Sequence, residues 1–525
     1  MKEYNKKLKE EIAEFREAGH KFVNKEISAA EFKGKSGGMG VYAQRGGEAF
    51  MIRLRIPCGI LSFSHLKLIH KFAVQYGLER IHLTTRQAIQ LHDLDIDSVC
   101  NIMETAIDHG LYTRGGGGNY PRNVALSPLS GVDKTEVFDP TPYALQVNRY
   151  IMERIMGYHL PRKLKIAFSN NEADTANCTI NDLGFMAVMD EGIPSFKMYL
   201  AGGLGNNPAV ALPYDKLIPP NQVLYHVEAV TRIFAAEGDY ENKGKARLRY
   251  IPKRMGKEAF MECYKKHLAQ AKGSMDLTIN GEAAEICEAA DKLQSAEIRK
   301  DIHIESSNLI AQKQEGFYTA VIHPQCGQLS VKALEEIITF LMDKQQDIRL
   351  SMTESMYIRN LSREEGEKLL AIMREINQVT RIGMSVSCVG VPTCQIGVLE
   401  SQTLLKEINR ALMENNIKTD YLPGVSISGC FNSCSRHQVS EIGFAGCKKR
   451  ISDAPAEAFE LHVGGAVKKD DTHMGICMGT LKKEDIPEFM VKLSQALDSK
   501  GMYFIDYLKE YQEEFENLTK PYLIG

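Results

Sequence analysis

An α+β fold built by internal duplication, with mixed sheets flanked by helices in each pseudo-two-fold half, is predicted for this chain of 525 residues. Three observations predict it. The segment AFMIRLRIPCGILSFSHLKLIHKF, from Ala49, is echoed by GFYTAVIHPQCGQLSVKALEEIITF, from Gly316, and both carry Cys-Gly-x-Leu-Ser, at Cys58 to Ser62 and at Cys326 to Ser330. The segments that follow, IHLTTRQAIQLHDL from Ile81 and IRLSMTESMYIRNL from Ile348, match at almost the same offset. A second pair comes in the same order: LPRKLKIAFSNN, INDLGFMA and FKMYLAGG from Leu160 onward, then LPGVSISGCFNS, SEIGFAG and FELHVGG from Leu422 onward. Matches repeated in order are the signature of a duplicated module.

The length calls for more than one hydrophobic core. Apolar and charged fractions of 44% and 25% are those of ordinary globular chains, and a net charge of -3 gives no support to a nucleic-acid-binding face. No apolar run is long enough to span a bilayer. The opening MKEYNKKLKEEIAEFREAGHKF alternates charged and apolar residues without the apolar centre of a signal peptide, so an amphipathic helix on a cytoplasmic protein is expected. The chain is parsed as a helical arm over 1–45, a first copy over 46–125 and 126–300, and a second copy over 308–380 and 381–525. A charged helical tail is expected from Thr278 to Lys300, and helices after Asp485.

Side chains alternate between the faces of a strand. Arg53 and Arg55 then share a face opposite Ile52 and Leu54. In the Ile81 segment, read as one strand, His82, Thr84, Arg86, Gln90 and His92 share a polar face. Lys163 and Lys165 project together. The repeat offsets set Arg53, Arg55 and Arg86 opposite Val321, His323 and Thr353, and Lys163 and Lys165 opposite Val425 and Ile427. Copy one therefore holds cations on its strands where copy two holds none, while copy two alone holds the paired cysteine motifs. That division points to one active site with anion-binding groups from the first half and metal from the second.

Twelve cysteines in such a chain are expected as thiols or metal ligands rather than disulfides. Cys388-x5-Cys394 and Cys430-x3-Cys434 flank a helical stretch, QTLLKEINRALMENN. Four thiolates suit zinc or a [4Fe–4S] cluster. The five-residue gap containing Pro392 fits a zinc knuckle poorly, and four soft donors favour the cluster. Gly390, Gly397, Gly424, Gly429 and Gly443 allow close backbone approach, and the N–H groups of Ser428 to Cys434 are placed to bond cluster sulfurs.

These motifs, CVGVPTC and ISGCFNSCSRHQVSEIGFAG, resemble the cluster-binding motifs of the sirohaem-dependent sulfite and nitrite reductase family. RLRIPCG and LTTRQAIQLH resemble its paired-arginine and TxRQxxQxH segments, and LPRKLK its lysine-bearing segment. The resemblance runs from near residue 40 to near residue 470. It implies ferredoxin-like half-domains over 46–125 and 308–380, a sirohaem and substrate domain over 126–300, and an iron–sulfur domain over 381–525. It further implies a [4Fe–4S] cluster joined to sirohaem through one shared thiolate, that of Cys434 by its place in the motif. Thr84, Arg86, Gln90 and His92 would contact the sirohaem carboxylates. Arg55, Arg122, Lys163 and Lys165 would face the substrate anion, and the stretch GGLGNN from Gly202 would add backbone donors.

The same resemblance bears on substrate. Two lysines, as at Lys163 and Lys165, are typical of the sulfite branch, whereas the nitrite branch usually has asparagine at the second place. Asn432-Ser433-Cys434, with Gln438-Val439 and Ile442-Gly443-Phe444, is closer to the nitrite branch, and RNVALSPLSG lacks the cysteine common near Ser127. The lysines touch substrate, so reduction of sulfite to sulfide is expected, with nitrite to ammonia as the alternative. The Gly115 to Gly118 run lacks the strand–turn–helix setting of a dinucleotide fingerprint, so electrons are expected from a separate ferredoxin or flavoprotein. Lys243, Lys245, Arg247 and Arg249 form a basic group that is expected to be a solvated face or a ferredoxin dock. A non-catalytic electron carrier and a zinc scaffold are the competing classes. A carrier has no need of cations facing a cavity.

Overall fold

Leu8, Ile12 and Phe15 recur at helical spacing, and they form the buried stripe of the first helix, Lys2–Val23. Its polar side is tied down by Arg16, which pairs with Asp97 at 2.8 Å and Glu104 at 3.1 Å on the helix Ile96–Asp108. A second helix, Ala29–Met39, starts where Ser28 accepts the N–H of Glu31 and stops at Gly40, whose φ of 78° is left-handed. Both helices pack into the core of the first sheet, and Val41–Ala43, inside the span read as an arm, is a strand of that sheet. The computed structural model describes residues 2–280, 308–344, 347–417, 421–451 and 454–524. Most of the tail expected from Thr278 to Lys300 lies outside the described residues.

Two of the four sheets carry the first repeat. Sheet one runs Val41–Ala43, Phe50–Arg55, Ala88–Leu94, Arg80–Leu83 and Gln328–Ser330. Sheet three runs Leu309–Ala311, Tyr318–Ile322, Met356–Leu361, Asp347–Leu350 and Ile60–Leu61. The last strand of each comes from the other copy. Ile60 and Leu61 pair with Arg349 and Ile348, while Gln328 to Ser330 pair with His82 to Arg80. The exchange merges the two copies, so one hydrophobic core extends from Leu8 through Leu54 and Leu83 to Ile322, Leu350 and Met373.

The shared Cys-Gly-x-Leu-Ser motif makes this exchange possible. Cys58 and Cys326 have φ of 54° and 59°, and the glycines after them have φ of 72° and 66°. Two successive left-handed residues turn the chain sharply toward the other copy. A Cβ on Gly59 would lie 2.8 Å from the Leu350 carbonyl oxygen, and one on Gly327 would lie 2.5 Å from that of Leu83. The motif's serines, Ser62 and Ser330, then cap the helices Phe63–Gln75 and Val331–Leu341 by accepting the N–H of His65 and Ala333.

The remaining sheets carry the second repeat and share one topology. Sheet two runs Ala125–Leu126, Ile166–Ser169, Leu183–Asp190, Ile193–Leu200 and Leu212–Ile218; sheet four runs Val386–Ser387, Val425–Ser428, Ile442–Ile451, Ala454–Val463 and Ile476–Lys482. In both, the first three strands are parallel and the last two return antiparallel. Each packs its own core, with the helix Ile486–Lys500 beside the second. The helical C-terminal region expected after Asp485 is present.

Two sequence readings are corrected here. The Ile81 segment is a hairpin: Arg80–Leu83 and Ala88–Leu94 are joined through Thr84 to Gln87, whose φ is 53°. The Thr84 hydroxyl accepts the N–H of Arg86 and Ala88, giving the backbone a local partner that ends the strand. His82 and Gln90 are thus cross-strand neighbours, and Arg86 sits at the turn. The second repeat is also in a different register. Ile166 pairs with Leu183 as Val425 pairs with Ile442, so Lys163 and Lys165 correspond to Leu422 and Gly424, not to Val425 and Ile427. The Leu-Pro pairs that suggested the other offset lie in loops before the strands and are not equivalent.

Because sheets one and three share a core, strain at one exchanged turn should weaken both. Gly327→Ala is expected to destabilise the protein by about 3 kcal/mol, seen as a lower Tm of a single calorimetric transition that covers both sheets. An unchanged Tm, or a new transition with half of the enthalpy, would contradict the merged core.

Candidate active site

A cavity of about 370 Å³ opens between the second repeats of the two copies. Its cationic wall is first-half in origin. Arg86 enters from the hairpin turn of sheet one, and Arg162, Lys163 and Lys165 from the segment leading into Ile166–Ser169. Lys243, Arg247 and Arg249 enter from the loop before the helix Tyr250–Met255. The second half contributes Met352, Phe431, Asn432, Ser433, Cys434 and Arg436. Among the described residues, no aspartate or glutamate lines this cavity.

Like charges in such a space are held in place by the backbone and by one buried carboxylate. Asp182 accepts two bonds from Arg247, each at 3.0 Å, and the backbone N–H of Lys165 at 2.8 Å. Arg86 donates to the Ile166 carbonyl at 2.7 Å, Arg249 to that of Asn206 at 2.6 Å and Arg436 to that of Met352 at 2.6 Å. Several buried N–H groups remain without a partner, namely Nε of Arg86, Nε of Arg247 and Nη1 of Arg249. Lys163 and Lys165 are half-buried, and neither pairs with a carboxylate among the described residues. Burial, then Arg247 and Arg86, hold the Lys165 ammonium down to about 7. Burial, then Lys165 and Arg247, push Lys163 well below the ordinary lysine range. Such a wall is unfavourable without an anion.

The four motif cysteines meet at the other side. Ser433 and Arg436 adopt φ of 54° and 66°, tightening the loop after Val425–Ser428. The thiol of Cys388 accepts the N–H of Gly429 at 3.1 Å and lies 3.3 Å from the Ser401 hydroxyl, and that of Cys430 accepts Nδ2 of Asn432 at 3.3 Å. Glycine is required here: a Cβ on Gly429 would lie 2.6 Å from the Leu399 carbonyl oxygen. Burial and then Cys434 raise Cys388 to about 12, while Cys394 and Cys430 are raised by burial with Cys434 among the further causes. Thiolates at these four positions would repel one another, a cost that iron ions would offset. Cys434 alone of the four lines the cavity.

The structure thus brings Arg86, Lys163, Lys165 and Cys434 together, next to Cys388, Cys394 and Cys430. It places Thr84, Gln90, His92, Arg55 and Arg122 outside the cavity wall. Thr84 shapes the hairpin turn. Gln90 donates to His82 Nδ1 at 3.0 Å and accepts from Arg53 Nε at 3.0 Å. His92 is half-buried 5.8 Å from the His82 ring, and desolvation pushes it down to about 3. Arg55 donates to the Pro121 carbonyl at 2.9 Å with two of its nitrogens left over. Arg122 is clasped by the carbonyls of Gly115, Gly117 and Gly118, which is the use made of that glycine run.

Other wall residues escaped the sequence reading. Arg247 and Arg249 are buried at 8% and 4% exposure, so the solvated face expected for their group holds only at Lys243 and Lys245. The two arginines lie in a loop, where strand alternation gives no signal of burial. Thr85, Arg162 and Arg436 were likewise missed. Thr85 donates to the Cys434 carbonyl at 2.9 Å. Gly205 of the GGLGNN stretch does line the cavity, but its N–H goes to Gln438 at 2.9 Å, tying the two copies together.

A duplicated α+β fold with four motif thiols, one of them lining a cationic cavity, is the arrangement expected of an iron–sulfur oxyanion reductase. Residues 117–272 and 380–503 match the nitrite and sulphite reductase 4Fe-4S domain, and residues 42–108 match the nitrite/sulfite reductase ferredoxin-like half domain. The chain belongs to the nitrite and sulfite reductase family, a family of oxidoreductases whose cofactors are a [4Fe–4S] cluster and sirohaem. It is 27% identical to the ferredoxin–nitrite reductase of Synechococcus elongatus over 85% of each chain. To the ferredoxin sulfite reductase of Mycobacterium tuberculosis it is 28% identical over 83% of this chain and 75% of that one. The solved structure of the Mycobacterium tuberculosis NirA protein shares the fold, with a TM-score of 0.77 and 24% identity over 93% of this chain and 92% of that one. No helix among the described residues is long and apolar enough to cross a membrane.

Both cofactors fit the residues present. The cysteines would supply four sulfur ligands, and the unpartnered guanidinium N–H groups suit the carboxylates of an anionic macrocycle. Removing Asp182 should expose how much the wall depends on it. Asp182→Ala leaves Arg247 without its partner, and a stability loss of about 3 kcal/mol is expected from urea unfolding. A loss below about 1 kcal/mol would show that Arg247 is held by other means.

Proposed function

We propose that this protein reduces sulfite to sulfide by six electrons, taking them from a ferredoxin. The observation that carries this reading is the pair of half-buried ammonium groups, Lys163 and Lys165, on the cavity wall that also holds Cys434. Sulfite carries up to two negative charges and nitrite one, so a second cation at the anion favours sulfite. Relatives at 27% and 28% identity include a ferredoxin-dependent enzyme of each kind, and both names support ferredoxin as donor.

In this reading Cys388, Cys394, Cys430 and Cys434 would hold the cluster, and Cys434, which lines the cavity, would be the thiol beside the sirohaem. Arg86, Arg247 and Arg249 hold macrocycle carboxylates through the N–H groups they leave unpaired. When bound, the two cofactors supply the stepwise electron delivery that no side chain provides. Lys163 and Lys165 attract the anion and stand within the cavity to give protons to oxygens that depart as water. A lysine whose ammonium is held near neutrality both gives up a proton and regains one from solvent readily. Asp182 fixes the Lys165 backbone and Arg247, so that the anion meets preset charges instead of mobile ones. Arg55 and Arg122 support this wall from behind, through the Pro121 carbonyl and the glycine run.

Lys165→Asn tests the reading. Anaerobic kcat/KM with a reduced viologen donor is expected to fall about a hundredfold for sulfite and at least tenfold less steeply for nitrite. Equal losses for both anions, or a wild-type enzyme that prefers nitrite and forms ammonia, would transfer the assignment to nitrite reduction.

A further inference from the structure

Sheet four has a second chemically loaded region that the reaction does not use. Phe459, Leu461 and Val463 of the strand Ala454–Val463 point into the core, each with at most 1% exposure. Alternation therefore turns Glu460 and His462 to the other face. The neighbouring strand, Ile476–Lys482, carries a β-bulge: Leu461 pairs with Gly479, yet the next residue, His462, pairs with Cys477. In unbroken register Cys477 would face Val463 and follow it toward the core. The extra residue, Met478, re-aims the thiol onto the face of His462.

The result is a group of three different donors. A carboxylate oxygen of Glu460, an imidazole nitrogen of His462 and the sulfur of Cys477 all lie within 4.8 Å of one another. Among the described residues it is the one such grouping of histidine, cysteine and acidic side chains. His462 Nε2 stands 3.8 Å from Glu460 Oε2, too far for a hydrogen bond. The buried His437 ring packs 5.1 Å from the His462 ring and restricts its orientation. Cys477 is exposed, so an ion reaches the group directly from solvent.

We infer that Glu460, His462 and Cys477 form a binding site for a thiophilic divalent cation of the zinc type, separate from the four-cysteine cluster. One sulfur, one nitrogen and one oxygen donor select for zinc over magnesium or calcium, which prefer oxygen alone. Zinc bonds of about 2.0 to 2.3 Å need donors roughly 3.5 Å apart, which side-chain rotation from the present spacing achieves. Three protein ligands leave a fourth position for water. None of the three residues lines the cavity, so the ion would occupy its site with both redox cofactors in place.

The test uses the cofactor-loaded protein, treated with a chelator and titrated with zinc sulfate by calorimetry. One zinc per chain is expected. Cys477→Ser and His462→Gln should each weaken binding by about tenfold or more, while Cys263→Ser, in the first copy, leaves it unchanged. Iron content and Tm of the variants report whether the fold and the cluster survive, and two independent substitutions guard against one that fails to fold. X-ray absorption at the zinc edge should show a single sulfur among nitrogen and oxygen ligands. Zinc uptake that is unaffected by either substitution, or a shell of four sulfurs, would overturn the inference.

Discussion

The mutual repulsion of cations around one half-buried cavity is the constraint on which this structure turns. Arg86, Arg162, Lys163, Lys165, Lys243, Arg247, Arg249 and Arg436 all line it, and among the described residues no lining carboxylate balances them. Two like charges 6 Å apart in an environment of effective dielectric 20 repel by about 3 kcal/mol. The fold bears this cost through rigid attachment. Carbonyls of Ile166, Asn206 and Met352 hold three guanidinium groups, and Asp182 holds a fourth. A soft scaffold would let these side chains turn to solvent. The N–H groups left over have no protein partner, as the proposed anionic cofactor would require.

The duplication explains how one site acquires both charge and metal. In the first copy Arg162, Lys163 and Lys165 precede the strand Ile166–Ser169, whereas in the second Cys430 and Cys434 follow the equivalent strand Val425–Ser428, so the two copies contribute from opposite ends of equivalent strands. The exchanged strands, Ile60–Leu61 and Gln328–Ser330, and the Gly205–Gln438 contacts fix the two copies against each other. Cys434 and Lys165 can then be placed to within the tolerance that coupled chemistry needs.

Much of this was legible in the sequence because the two copies calibrate each other. The Cys-Gly-x-Leu-Ser repeat marked a turn whose left-handed cysteine the structure shows twice, at Cys58 and Cys326. The cysteine spacing singled out the four thiols proposed as cluster ligands, and Lys163 and Lys165 stood out because copy two has no cation there. What escaped had a physical reason in each case. The Thr84 hydroxyl bends the Ile81 segment into a hairpin, which removes Gln90 and His92 from the cavity and leaves Arg86 in it. Arg247 and Arg249 lie in a loop, where period-two alternation says nothing about burial. The edge-strand exchange depends on tertiary pairing between Leu61 and Ile348, which no local pattern encodes.

The central claim is that the cationic wall is built for an anionic macrocycle beside Cys434. Its most direct test is binding of the metal-free sirohaem macrocycle to protein produced without cofactors, followed by fluorescence across a range of salt concentrations. The account predicts binding that raises Tm and weakens by about tenfold or more between 0.05 and 0.5 M salt, as screening takes hold. Failure to bind, or binding indifferent to salt, would mean that the charges in the cavity serve some other purpose.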